Sequence, residues 1–358
     1  MAASMPLPTS EAERRQADIL PGVSRTFALT IPQLPLELRP GITNAYLLCR
    51  TADTIEDSAK LTPTEKETHY SALLATLDAE AAPASFSRQL QAAAPIAEQT
   101  ERALLDAMPQ VITVYQTLPA RQRQALRRCL GVMCEGMGRF EHLKNPTGLP
   151  DRRHFRDYCY VVAGVVGEFL TELFSQVDDQ VAERRQELLE LAPAFGQGLQ
   201  MTNILKDVWD DRARGICWLP RDVFREHGCS LAADAAWHQD AGYREAMHTL
   251  VGVAHYHLRQ ALRYTQLIPR RQPGIRRFCS WAIGMALYTL QNIRQQPDFN
   301  ESSMVKISRR RLRMIIAYCN LSVGSNRLQQ AGFEWAARGL PLAHQDSLGN
   351  LAARGGNP

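Results

Sequence analysis

Strand-like alternation of apolar and polar residues is nearly absent from these 358 residues, which excludes a β-sandwich or barrel. There is no Gly-rich strand-to-helix fingerprint, so a Rossmann-type dinucleotide site is excluded. The most apolar stretches, residues 159–170 and 279–290, are each about a dozen residues, whereas a membrane-spanning helix needs roughly 20. The first 15 residues lack a basic segment followed by an apolar one, so no secretory signal is expected. No CxxC pair occurs among the eight cysteines (49, 129, 134, 159, 217, 229, 279 and 319). Several sit in apolar runs, so buried free thiols in a reducing cytoplasm are favoured over disulfides or zinc. The net charge of +4 and the sequence pI near 8.6 are mild. They suit an anionic substrate or contact with the inner face of the membrane, and fall short of a nucleic-acid signature. The clearest basic run, residues 306–313, has no interleaved aromatic platform.

What is present is helical periodicity. Helices are predicted over roughly 40–58, 64–80, 98–117, 119–142, 151–176, 183–213, 234–266, 273–296 and 308–336, joined at Pro40-Gly41, Asn145-Pro146, Leu149-Pro150 and Leu219-Pro220. No linker, repeat or low-complexity tract interrupts residues 15–337. The expectation is therefore one all-α domain, with flexible tails at 1–14 and 338–358.

Two acidic clusters stand out. DTIED supplies Asp53, Glu56 and Asp57, and DVWDD supplies Asp207, Asp210 and Asp211. In each the acids stand at i, i+3 and i+4, a spacing that a helix turns toward one face. Acidic triplets are often solvated helix faces. Here each helix is apolar just upstream (Ala45, Leu47 and Leu48; Ile204 and Leu205) and carries further polar groups: Tyr46 and Arg50 in the first, Gln200, Asn203 and Lys206 in the second. Clustered carboxylates repel by roughly 4 kcal/mol per pair at an effective dielectric near 20, so a cation is required. With no His or Cys beside them, all-oxygen ligands favour Mg²⁺, which takes one or two carboxylates and completes its octahedron with water and phosphate oxygens. Arg50 and Lys206 then complete a diphosphate site.

Four segments resemble the squalene/phytoene synthase family: SRTF (24–27) its SRSF-like segment, residues 46–57 its first aspartate-rich motif, YCYVVAGVVG (158–167) its YC-x-x-VAG-x-VG helix, and residues 200–211 its QKTNI-x-RD-x-x-ED motif. The resemblance runs over most of residues 20–320. It implies an isoprenoid-synthase α-fold around a central cavity with both acidic helices at its mouth, and head-to-head joining of two prenyl diphosphates. It assigns metal binding to Asp53, Glu56, Asp57, Asp207, Asp210 and Asp211, and chemistry to Asp53, Asp57, Asp207, Asp211, Tyr158 and Phe278. Substrate contacts fall to Ser24, Arg25, Thr26, Phe27, Tyr46, Arg50, Val162, Val166, Gln200, Asn203, Lys206 and Arg214. Taken alone, Tyr158 and Phe278 read as core residues, and the small-residue face of 161–167 reads equally as helix packing. Gly136 and Gly138 resemble glycines of a pocket-lining helix.

MVKISRR (304–310) resembles the VKIRKG-like segment of the reductive, squalene-forming members, where basic residues meet NADPH. Lys306, Arg309 and Arg310 are thus the implied cofactor contacts, with farnesyl diphosphate the implied substrate. Thr26 replaces the second Ser of SRSF, and Ile216 stands where relatives carry Arg. Three alternatives stay open: a non-reducing sibling making presqualene diphosphate, dehydrosqualene or phytoene; a non-catalytic helical assembly scaffold; and a cyclising or chain-elongating synthase. The expected location is cytoplasmic, with peripheral membrane contact for product release.

Overall fold

The computed structural model describes residues 10–95, 98–232 and 236–343, with backbone only at Arg25 and His238. Among the described residues every regular element is a helix and none is a strand, as the all-α expectation requires. Among the described residues the one isolated bridge pairs Leu149 with Pro220. Leu149 N donates to Leu219 O and Arg221 N to Leu149 O, at 2.9 Å each.

In chain order the helices are α1 (Glu11–Val23), α2 (Arg25–Thr30), α3 (Arg39–Asp57), α4 (Pro63–Leu77), α5 (Pro83–Ala93), α6 (Gln99–Asp106), α7 (Met108–Thr117), α8 (Ala120–Glu141), α9 (Arg152–Cys159), α10 (Val165–Phe174), α11 (Asp179–Glu183), α12 (Arg185–Ala213), α13 (Arg221–Glu226), α14 (Ala241–Leu267), α15 (Pro273–Gln295), α16 (Ser302–Val305), α17 (Arg309–Ser322) and α18 (Asn326–Ala336). A π-helical turn, Tyr160–Gly164, joins α9 to α10. The chain divides into two compact units, residues 1–142 with 168–186, and residues 143–167 with 187–358.

The first unit is built around α3, whose Leu47, Leu48, Ala52 and Ile55 are fully buried against α1, α7 and α8. Its polar anchor is Asn44, which donates to Gln16 Oε1 (2.6 Å) and Val111 O (2.7 Å), tying α1 and α7 to α3. Asp57 ends α3, and α4 begins with a capping box in which Thr62 and Glu65 satisfy each other's backbone N–H groups.

In the second unit α14 packs along α15, and glycines set the approach of α12. A Cβ on Gly196 would stand 1.9 Å from Ala163 O, and one on Gly167 would stand 2.1 Å from Ala192 O. The glycines of 158–167 therefore serve helix packing, which leaves Val162 and Val166 half-buried on the rest of that surface. Backbone atoms have no room to retreat, so Gly196→Ala is expected to lower the melting temperature by about 1–4 °C, read by scanning calorimetry.

The helices differ from expectation where turn chemistry intervenes. The predicted 98–117 helix breaks at Ala107, because Pro109 in the first turn of α7 has no N–H to continue the ladder. The predicted 308–336 helix breaks after Val323, and Ser325 caps α18 through Leu328 N. Helices α1, α2, α5, α11, α13 and α16 were not predicted. Of the expected N-terminal tail, residues 1–9 lie outside the described residues, whereas α1 starts at Glu11 under a Ser10 cap. Of the expected C-terminal tail, 344–358 lie outside them, while His255 Nδ1 meets Pro341 O at 2.7 Å and Ala343 N donates to Gly252 O at 3.2 Å. All eight cysteines are free, and all but the half-buried Cys49 are buried. No described helix is long and apolar enough to cross a membrane.

Candidate active site

On α3 the predicted residues do converge. Ser24 Oγ caps α2 by accepting from Phe27 N at 3.0 Å and also hydrogen-bonds Tyr46. The rings of Phe27 and Tyr46 lie 4.8 Å apart, and Tyr46 OH donates to Val23 O at 3.0 Å. One turn on, Arg50 lies 3.8 Å from Asp53 and grips Glu101 of α6. Loss of hydration pushes the Asp53 carboxyl up to about 7; Arg50 pulls it down, while Asp57 and Glu101 push it further up. A carboxylate this reluctant to ionise is a site waiting for positive charge.

The three acids of α3 differ in burial: Glu56 is buried, Asp53 half-buried and Asp57 exposed. Asp57 acts on Asp53, and the phenol of Tyr70 in α4, raised first by burial, is raised further by both Glu56 and Asp53. Lys66 Nζ donates to Glu56 O and to Glu141, each at 2.7 Å. Thr26 is exposed; the side chain of Arg25 lies outside what is described.

Glu101 was missed. It is a lone glutamate in the first turn of α6, with no spacing or motif to mark it, and only packing shows it orienting Arg50. Glu101→Gln removes the carboxylate that holds the Arg50 guanidinium and is expected to lower the unfolding free energy by about 1–2 kcal/mol, read by urea denaturation. An unchanged value would mean that Arg50 is held without it.

On α12 the second cluster is likewise graded. Asp211 is buried and accepts from Arg214 at 2.6 Å, Asp207 is half-buried 3.0 Å from Lys206 Nζ, and Asp210 is exposed. Burial raises the Asp207 carboxyl; Lys206 lowers it, Asp210 raises it and Lys306 lowers it. Lys306, placed by sequence with the cofactor contacts, is thus within electrostatic reach of the second motif. Arg309 and Arg310 are exposed, Gln200 is half-buried and Asn203 exposed.

Tyr158 is buried and stacks on Trp218, with ring centroids 3.8 Å apart and planes at 11°. Lys144 Nζ lies 5.7 Å from the Trp218 ring. Trp218, just past the second motif, was not foreseen. Phe278 is buried in α15.

The oxygen donors on each acidic helix, taken separately, suit Mg²⁺. The acids offer oxygen only, Asp57 and Asp210 are open, and Asp53 and Asp207 are both raised toward neutrality. Among the described residues no three Asp, Glu, His or Cys form a ready-made metal cage.

The sequence model of the family described as Squalene/phytoene synthase matches residues 20–311. The chain is 31% identical to squalene synthase BSS of Botryococcus braunii over 76% of its own length and 57% of that protein. To squalene synthase ERG9 of Gibberella zeae it is 29% identical, over 77% of its own length and 57% of the relative. It therefore spans less than two thirds of these curated relatives. Among solved structures, TcSQS with the ligand BPH1237 shares the fold at TM-score 0.70 and 23% identity, covering 92% of this chain and 98% of that one. A dehydrosqualene synthase in complex with a ligand does so at TM-score 0.65 and 19% identity, covering 88% and 97%. With both acidic helices and the glycine-packed helix inside the matched residues, this chain belongs to the squalene/phytoene synthase family.

Proposed function

We propose that the chain is a squalene synthase. One observation carries the reading: each acidic helix sets a carboxylate with raised pKa beside a cation, Asp53 with Arg50 and Asp207 with Lys206. That is the arrangement a Mg²⁺–diphosphate group needs.

Asp53, Asp57, Asp207, Asp210 and Asp211 would hold Mg²⁺, with Glu56 retained from the family motif. Arg50, Lys206 and Arg214 would bind diphosphate oxygens. Lys306, Arg309 and Arg310 would meet the phosphates of NADPH. When bound, the metal neutralises charge on the departing diphosphate and NADPH supplies hydride. The double bond of a second farnesyl diphosphate attacks the allylic cation left by the first. Loss of a proton, for which the Tyr158 oxygen is the candidate acceptor, closes the cyclopropane of presqualene diphosphate. That intermediate ionises, rearranges and is reduced to squalene. The half-buried Val162 and Val166 and the buried Phe278 keep water from the cation.

The test is incubation of the purified protein with farnesyl diphosphate and Mg²⁺, with and without NADPH, and mass analysis of the products. Squalene is expected only with NADPH, and presqualene diphosphate without it. Identical products in both arms would make the chain a non-reducing sibling, and untouched substrate would favour a scaffold. A geranylgeranyl diphosphate arm fixes chain length.

A further inference from the structure

The positive charge of this chain is concentrated in one place. Residues 306–338 carry seven Lys or Arg and one Asp or Glu, a net +6; the rest of the chain, with 34 basic and 36 acidic residues, is net −2. The same segment holds five of the nine large apolar side chains exposed among the described residues: Met314, Tyr318, Leu321, Leu328 and Trp335.

The two helices that carry them lock side by side. α17 turns Ile315 and Cys319 inward against Trp281 of α15, so Met314, Ala317, Tyr318 and Leu321, at i, i+3, i+4 and i+7, form an outward apolar stripe. α18 presents Leu328, Ala331 and Trp335 in the same way. Tyr318 OH donates to Leu328 O at 2.7 Å, and its ring covers Gly332, where a Cβ would stand 2.0 Å from the ring edge. Met314, Tyr318 and Trp335 rim an apolar cleft of about 410 Å³ that reaches Leu287 of α15. Arg313 and Arg327 flank the stripes, exposed.

We infer that the outer face of α17 and α18 docks on the surface of an anionic lipid bilayer. A contiguous apolar patch marks an interaction surface. One bordered by cations with almost no acids, and carrying a Trp, has the composition of an interfacial membrane contact. The charge excess selects an anionic bilayer over a neutral or basic partner, and the cleft gives an acyl chain somewhere to enter. The inference stands apart from the proposed reaction and holds whichever product the protein makes.

The test is co-sedimentation of the full chain with phosphatidylglycerol–phosphatidylcholine vesicles. Binding is expected to these, but not to phosphatidylcholine alone, and to weaken in high salt. Arg313→Gln lowers partitioning about fivefold, and Leu321→Glu or Trp335→Glu about tenfold or more, with far-UV spectrum and turnover of soluble substrate unchanged. The inference fails if wild type ignores anionic vesicles or if these variants bind equally. It also fails if sedimentation velocity shows a dimer that Leu321→Glu splits without any lipid binding, which makes a second copy the occupant. Vesicle binding only after removal of residues 344–358 would assign the face to that segment and likewise overturn it.

Discussion

Asp53→Asn is expected to lower turnover of farnesyl diphosphate about a thousandfold while the far-UV helix signal stays unchanged, and Asp211→Asn to do the same. The asparagine keeps the shape of the side chain and removes the charge proposed to hold the metal. A second readout follows from the raised Asp53 carboxyl. Its folded pKa, about 7, lies above the ordinary 3.8, so between those values the folded state binds more protons than the unfolded one. Stability from this group therefore falls as pH rises through that window, and the unfavourable contribution is complete above about pH 7. Metal-free Asp53→Asn should accordingly melt higher than wild type at pH 8 and equal to it near pH 4. Mg²⁺ should raise the wild-type melting temperature more at pH 8 than at pH 6, because at pH 6 it must first displace a proton. Wild-type rates in both Asp variants would favour the scaffold reading. A melting difference that does not change with pH would mean that the Asp53 carboxyl is unperturbed.

Arg276 is expected to give the largest loss of stability. Its guanidinium is fully buried in α15, and none of its five acceptors is a carboxylate. Nε donates to Val323 O (2.6 Å), one terminal nitrogen to Ile268 O (2.7 Å) and Thr265 O (3.4 Å), and the other to Asn326 Oδ1 and Gln329 Oε1, each at 2.6 Å. One side chain thus pins the end of α14 and the α17–α18 turn to α15. Arg276→Ala leaves these acceptors buried and unpaired, and should lower the unfolding free energy by about 3–5 kcal/mol, read by urea denaturation. Arg276→Lys should rescue little, since an ammonium cannot reproduce a planar fork. Full rescue by Lys would show that charge, and not the fork, is what the site requires.

The sequence alone determined the fold class, both acidic motifs and the cations beside them. Each is written in spacings of three or four residues along a single helix, and helical periodicity makes such spacings readable without knowing what packs against them. Tertiary packing decided what those spacings leave open. Equal spacing predicted equal acids, yet burial separates Glu56 from Asp57 and Asp211 from Asp210, because neighbouring helices cover only part of the face. Glu101 on Arg50, Trp218 on Tyr158 and Lys306 within reach of Asp207 join residues far apart in the chain, and no local pattern encodes such pairs. Nothing in the sequence singled out Arg276, and only the five oxygens that the end of α14, the α17–α18 turn and α18 bring around it reveal a structural clamp.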